Sequence, residues 1–427
     1  MMKARTATAF AAATMIAVGL SGCSAPADDG TTTISFWTHT HPPMIAVYED
    51  LIAEYEAANH GITIDYQTVP NSDFGTRLLT ALSNDSGPDI INMDDGAIRG
   101  DYLPSDLLAP IDPAALGEDS VDGVVARYVD GALDGATGSD GQIYGLPSEF
   151  NGSALAINVA HFEEAGIDPD AVELDTWEDV KAVGADLALA GHPQAFSFLY
   201  LHSLWYAQQL QTLLHQTGGT IADGDEGTLD SPESLEALAL WADLATGPDR
   251  VADPNVTSRE ATTPFQDLSS GVQSMGIVYP WAMAQIAETN PDTYANLRVV
   301  PLPQVDPAQP TSRVYAYYWS VNKSSSQQEE SWKFVNFLSE NSDAFLTGTD
   351  FVQPLIDWDQ TSAAQEIPFI DVWGESYAVG RFDQVTDHYA EVQDVIQNMV
   401  NDVVFDGIDS ETAAAEASAS ITRILQG

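Results

Sequence analysis

Glu149 and Asn151 stand two residues apart in the stretch Asp140 to Phe162, which reads DGQIYGLPSEFNGSALAINVAHF. On an extended segment, residues two apart project to the same side. A carboxylate and a carboxamide with an aromatic between them suit a cleft that hydrogen-bonds hydroxyls. The stretch opens on Asp140-Gly141, where glycine supplies a positive φ cheaply. A short strand is expected from Gln142 to Leu146, ending at Pro147, which has no N–H to give a ladder. A second strand is expected from Ala154 to Val159. A solvated polar loop is the plain alternative for the segment between them.

Other residues have chemistry to offer. His39-Thr40-His41 follows one predicted strand and Asp94-Asp95 ends another. The two histidines resemble half of a zinc site, but no third His or Cys stands near them, so no metal is expected. The acidic turn from Asp223 to Asp230 lacks the ligand register of a calcium loop and reads as a plain hairpin. Trp281 falls between a strand and a helix, the position of a ligand platform. Trp319, Trp205 and Tyr206 are divided between cleft and core, whereas Trp241 and Trp332 sit at helical spacing and read as core.

The chain that must position these groups has 427 residues, enough for two domains. Lys3 and Arg5 precede a mostly apolar run, Ala7 to Leu20, too short to span a bilayer of about 20 helical residues. It ends in Leu20-Ser21-Gly22-Cys23, which resembles a bacterial lipobox with Cys23 as the lipidated N-terminus; an uncleaved anchor helix is the rival reading. Residues 1–23 are thus read as a signal and 24–33 as a polar tether. Cys23 is the single cysteine, so no internal disulfide is expected, and stability must come from burial. The charge is lopsided, 64 acidic against 14 basic residues. Such a surface repels nucleic acid and anionic headgroups. Because the acids are scattered, they favour solubility over any one partner.

Taken in order, Thr31 to Trp37 reads as a strand and Met44 to Ala58 as a helix with Ile45, Tyr48, Leu51, Ile52 and Tyr55 on one face. Ile62 to Val69, Phe74 to Leu82 and Asp89 to Met93 continue as strand, helix and strand. This alternation predicts a parallel, doubly wound α/β sheet with ligands beyond the carboxyl ends of its strands. Thr176-Trp177-Glu178-Asp179 has the form of a capping box, opening a helix to Ala190. Further on, strands are expected at Val272 to Val278, Arg298 to Leu302 and Val314 to Asn322. Helices are expected after Ser231-Pro232, from Gln327 to Leu338, and from Ser410 to Leu425.

With these pieces in place, the chain resembles the extracellular solute-binding proteins of bacterial ABC importers, in particular the sugar-binding family 1 group. The resemblance runs along nearly the whole chain, through SFW, GPDIINMD, DGQIYGLP with ALAINVAHF, TWEDV, GGTIADGDEGTLDSPESLEAL, MGIVYPWAM and YYWSVNKSSSQQEESWKFVNFL. It implies a two-lobed periplasmic-binding-protein type II fold with hinge crossings near Ala132, Val300 and Gln353. The lobes would be 34–132 with 301–353, and 133–300 with 354–427. It also implies candidate ligand contacts at Trp37, His39, His41, Asp94, Asp95, Glu149 and Asn151, and at Tyr206, Tyr279, Trp281, Tyr318, Trp319 and Arg381. Tyr279 stands where the family's signature has Gly, which bears on the local backbone conformation. Tyr317-Tyr318 stand where Gly-Gly is common, and these two tyrosines are expected to narrow the cleft or add a stacking wall.

The expectation is a lipid-anchored, monomeric, extracytoplasmic protein without cofactor or catalysis. It would pass a mono- or oligosaccharide to a membrane permease. Two alternatives stay open: a binding protein for a cationic solute such as a polyamine, and a glycoside hydrolase using Asp94 and Glu149.

Overall fold

A computed structural model describes residues 31–84, 86–198, 203–252 and 264–427. The lipobox with Cys23 and nearly all of the tether lie outside the described residues, as does part of the apolar stretch before Trp205.

The first half of the large sheet follows from alternation in the sequence. Strand β1 (Thr32–His39) buries Ile34, Phe36 and Thr38 on one face, and β2 (Ile62–Val69) pairs with it in parallel along its whole length. Strand β3 (Ile90–Asp94) pairs with the other edge of β1, also in parallel. The helices Pro42–Ala58 and Asn71–Ser83 make the crossovers, giving the doubly wound arrangement that the alternation predicts. Three further strands come from later in the chain: β4 (Leu108–Ala109), β5 (Leu146–Gly152) and the 11-residue β11 (Ser312–Asn322), whose partners include β3, β4 and β5.

The smaller sheet is antiparallel, with β6 (Ala154–Asn158) between β9 (Met275–Val278) and β10 (Leu297–Val300). A hairpin of β7 (Ala222–Asp223) and β8 (Glu226–Gly227) stands apart, as the acidic turn predicts. The last strand, β12 (Gly380–Phe382), returns to the large sheet beside β11. The chain therefore passes from one sheet to the other at Ser153 and comes back between β10 and β11. Gly152, at the first passage, lies so close to Ser376 and Tyr377 that a Cβ there would collide with both.

Pro147 does not end its strand. β5 runs through it, with Pro147 opposite Tyr318 and Glu149 opposite Tyr317, so the register shifts there by one residue. The bulge absorbs the missing N–H. The polar cluster is thereby a buried, extended strand and not the solvated loop that stood as the alternative. The segment expected as a strand before it contributes one isolated bridge, Thr137 with Ile143.

Helix limits follow local chemistry. Thr176 Oγ1 accepts from the Asp179 amide while Asp179 Oδ2 accepts from the Thr176 amide, so helix Trp177–Ala190 opens on a complete capping box and closes on Gly191 at φ 109°. Trp241 and Trp332 are buried in the cores flanking the small and large sheets. Each such indole removes about 150–250 Å2 from water, about 4–6 kcal/mol by area.

Candidate functional site

Residues from both sides of the molecule meet around a cavity of about 230 Å3. The large sheet contributes His39, the last residue of β1, with Thr40 and His41 after it, and Asp94, the last residue of β3. Both positions are carboxyl ends of parallel strands. β5 contributes Glu149, and β11 contributes Tyr315 and Tyr317. On the opposite side, helix Ser203–Thr217 presents Leu204, Trp205 and Gln208, and helix Pro280–Thr289 presents Trp281; Phe351 closes an edge. A larger groove of about 670 Å3 runs along the proline-rich crossing, between Val172, Leu302 and Val379. Its walls are mostly aliphatic and hold no aromatic platform, so the chemistry gathers in the smaller cavity.

The aromatic rings form a continuous wall. Trp281 stacks on Tyr279 at 5° with centroids 6.2 Å apart, and Trp205 lies 6.3 Å from Trp281. Trp281 Nε1 donates to the Tyr315 hydroxyl at 2.6 Å, which ties the two sides together across the cavity. His39 packs 5.1 Å from Tyr317, and His41 stacks on Phe351 at 5.3 Å.

In the cavity and just behind it, five buried polar atoms have no partner among the described residues: His39 Nδ1, His41 Nδ1, Glu149 Oε2, Asn151 Oδ1 and Gln208 Oε1. Buried polar atoms are ordinarily paired, so this concentration makes the cavity a candidate site. Burial pushes the Glu149 carboxyl up to about 8, against the hydrogen bond from Asn151. Asp94 rises to about 6 through burial and the neighbouring Asp95. Burial, aided by His41, lowers His39 to about 4, and His41 is lowered by burial as well. Desolvation of the charged form is the common cause.

Several predicted residues have other duties. Asp95 forms an ion pair with Arg99 at 2.6 Å and accepts from the Ala316 amide, so it holds β11 against β3. Trp37 lies under the Arg77 guanidinium, 5.3 Å from its ring centre, away from the cavity. Tyr206 is in the core, stacked on Trp241, with its hydroxyl donating to Asn401 Oδ1. The Tyr318 hydroxyl donates to the Ala132 carbonyl, and Trp319 Nε1 to the Tyr48 hydroxyl; both side chains are fully buried. Strand alternation explains this: Tyr315 and Tyr317 face the cavity, and Tyr318 the opposite side of the sheet. Trp319 shares the parity of Tyr317 but lies beyond the cavity, under helix Pro42–Ala58. Tyr279 is buried behind Trp281 with an extended backbone that any residue adopts, so the signature's Gly is not required. Arg381 is exposed on β12. Asn151 lies behind Glu149, its Nδ2 donating to Glu149 Oε1 at 3.2 Å. Glu149 and Asn151 thus share a side, as their spacing predicts.

Beneath the cavity, Arg313 of β11 is 1% exposed and held side-on by Asp383 through two hydrogen bonds, 2.8 Å from both Nε and Nη2. Its Nη1 reaches the Tyr279 hydroxyl at 3.3 Å, and its guanidinium lies 4.9 Å from the centre of the Tyr315 ring. One buried cation therefore underpins rings on both sides of the cavity.

Two α/β lobes joined by crossing strands, with a cavity of aromatic rings and unpaired polar groups between them, define a two-lobed binding protein. The chain belongs to the bacterial extracellular solute-binding proteins, whose sequence profile matches residues 41–344. A lactose-binding protein of Rhizobium radiobacter is 24% identical over 342 residues, 78% of this chain and 75% of that protein. Among solved structures, the GacH receptor of Streptomyces glaucescens, studied unliganded and with acarbose, superposes with a TM-score of 0.78 at 17% identity, covering 93% of this chain and 99% of that one. An ABC transporter solute-binding protein of Thermotoga lettingae bound with α-D-tagatose gives 0.77 at 21% identity, over 92% and 100% of the two chains. These likenesses establish the type II periplasmic-binding-protein fold.

Proposed function

We propose that this protein captures a mono- or oligosaccharide between its lobes and delivers it to the permease of an ABC importer, without catalysis. The observation that carries the reading is the pairing of Trp205, Trp281 and Tyr317 with unpaired polar atoms of His39, His41, Glu149 and Gln208 around one cavity. Flat rings accept the C–H face of a pyranose, and the polar atoms match its hydroxyls. The lactose-binding relative and the sugar-bound neighbours agree with this reading. Lobe closure would dehydrate the sugar, and each hydroxyl left unpaired would then cost about 1–3 kcal/mol.

We assign residues 34–132 with 301–353 to one lobe and 133–300 with 354–427 to the other. β5 and β12 pair back across those limits into the large sheet as the crossing strands. The chain acts as a monomer outside the cytoplasm, anchored through lipidated Cys23. A cationic solute such as a polyamine is the second reading, favoured by Asp94 and Glu149 in a cavity lined by no lysine or arginine among the described residues.

The test is thermal shift of residues 24–427 against mono- and oligosaccharides, polyamines and calcium, with the ligand recovered afterwards. A ligand at about 100 times its Kd adds about 2.7 kcal/mol of stability. A shift with one sugar class, and that sugar recovered intact, supports the proposal. A shift with polyamines alone supports the second reading, and a cleaved sugar would show turnover.

A further inference from the structure

Glu149 is the least supported buried acid in the molecule's centre. It is 3% exposed, Oε1 accepts one long hydrogen bond from Asn151 Nδ2, and Oε2 has no protein partner. Asp95, equally buried, shows how this fold holds an ionised carboxylate: Arg99 lies 2.6 Å away and a backbone amide donates to the other oxygen. Among the described residues, nothing comparable faces Glu149. The groups around it are Tyr48 from helix Pro42–Ala58, Tyr315 and Tyr317 from β11, and Tyr377 from helix Ile370–Ala378. His39 and His41 at the end of β1 and Asp94 at the end of β3 complete the set. Burial keeps both histidines neutral at neutral pH. The Arg313 guanidinium on β11 is committed to Asp383. A carboxylate with one amide partner, four phenols and a second acid around it is costly to desolvate, whereas a neutral acid needs only an acceptor for its proton.

We propose that Glu149 stands in the ligand-free cleft as a neutral carboxylic acid and donates its Oε2 proton to an oxygen of the sugar, so the site selects an uncharged saccharide. This rests on the saccharide reading above. The wall then offers both kinds of hydrogen-bonding group: Asp94 accepts, Glu149 donates. An amine-bearing sugar would require Glu149 to ionise, and a uronic acid would bring its charge toward Asp94. The upward displacement of the Glu149 carboxyl to about 8 agrees with the geometry.

Two measurements test it. Carboxyl 13C NMR of the ligand-free protein, with Glu149→Gln to assign the resonance, should show Glu149 titrating near pH 8; a midpoint in the ordinary range near 4.5 overturns the proposal. Calorimetry with the sugar found by thermal shift should give an affinity that is flat to about pH 7. Above about pH 8 it should fall about tenfold per pH unit, as expected for a ligand bound only by the protonated form. Glu149→Gln, which keeps a donor there, should cost about threefold at pH 6 and abolish that fall; Glu149→Ala should cost more than tenfold. A folded Glu149→Gln protein that loses binding at pH 6 as completely as Glu149→Ala, or a wild-type affinity unaffected up to pH 9.5, sinks the donor role while leaving sugar binding standing. If no saccharide binds at any pH, the saccharide reading itself fails, and the selection drawn from it falls too.

Discussion

The two walls of the cavity are built on different principles. The wall from the large sheet is polar and assembled from four strands, with His39 and Asp94 at strand ends and Glu149 and Tyr317 within theirs. The wall from the other lobe is mainly apolar, with Leu204, Trp205 and Trp281 on the first turns of two helices. On the proposed reading the first would supply direction, because each hydrogen bond would fix an atom of the ligand. The second supplies area, which is tolerant of small displacements. A lobe that moves on closure can carry the tolerant wall, while the directional wall stays on the sheet that defines its geometry.

The contrast can be broken first at the residue both walls share. Arg313→Ala leaves Asp383 buried without its cation and should cost about 3–5 kcal/mol in urea unfolding. A loss below about 1 kcal/mol would show that the pair contributes little. Trp281→Ala is next: it removes the platform and the Tyr315 hydroxyl's partner, and affinity for the sugar should fall about ten- to a hundredfold in calorimetry. Unchanged affinity in a folded variant would remove Trp281 from the site.

pH should act on the polar wall. The Glu149 carboxyl sits near 8 when folded against 4.5 ordinarily, so between those values the folded state holds a proton that the unfolded chain has released. Its stabilising effect is present below about pH 4.5 and is lost as pH rises toward 8. Glu149→Gln should therefore flatten the decline of stability over that window in a pH series of urea midpoints. His39, near 4 when folded against 6.5, acts oppositely: its contribution is complete above 6.5 and lost as pH falls toward 4. The smallest effects come from neighbouring tyrosines. Tyr317→Phe should weaken sugar binding severalfold with little change in stability, and Tyr318→Phe should cost about 1 kcal/mol of stability with affinity unchanged. The reverse pattern would mean that β11 presents its other face.

How much was readable beforehand follows the same division. His39, His41, Asp94 and Glu149 were legible because strand-end placement and spacing of two are local properties. Trp281 was legible from its strand-to-helix position. Of the two tyrosines expected to wall the cleft, Tyr317 does and Tyr318 does not, because the face of β11 meeting the cavity is decided by pairing with β3 and β5, partners far away in sequence. Tyr206 instead of Trp205 is the same error on a helix, one residue turning the side chain from cavity to core. Gln208 and Phe351 were missed. Gln208 did leave a trace, since Gln208, Gln209, Gln211 and Thr212 are polar residues within an apolar helix, all of them buried. Pro147 misled because a bulge, which only the partner strand reveals, absorbs its missing donor.

β11 also sets an order of events. Its Ala316 meets Asp95 across 221 residues of chain, so a polypeptide made from its N-terminus leaves one edge of β3 and the whole of β5 without their strand partner until more than 300 residues have emerged. Contacts so distant form slowly, and open strand edges invite pairing between chains. The 64 acidic residues give such unfinished chains a common charge. Mutual repulsion would keep them apart during the interval in which the sheet waits for its last strands.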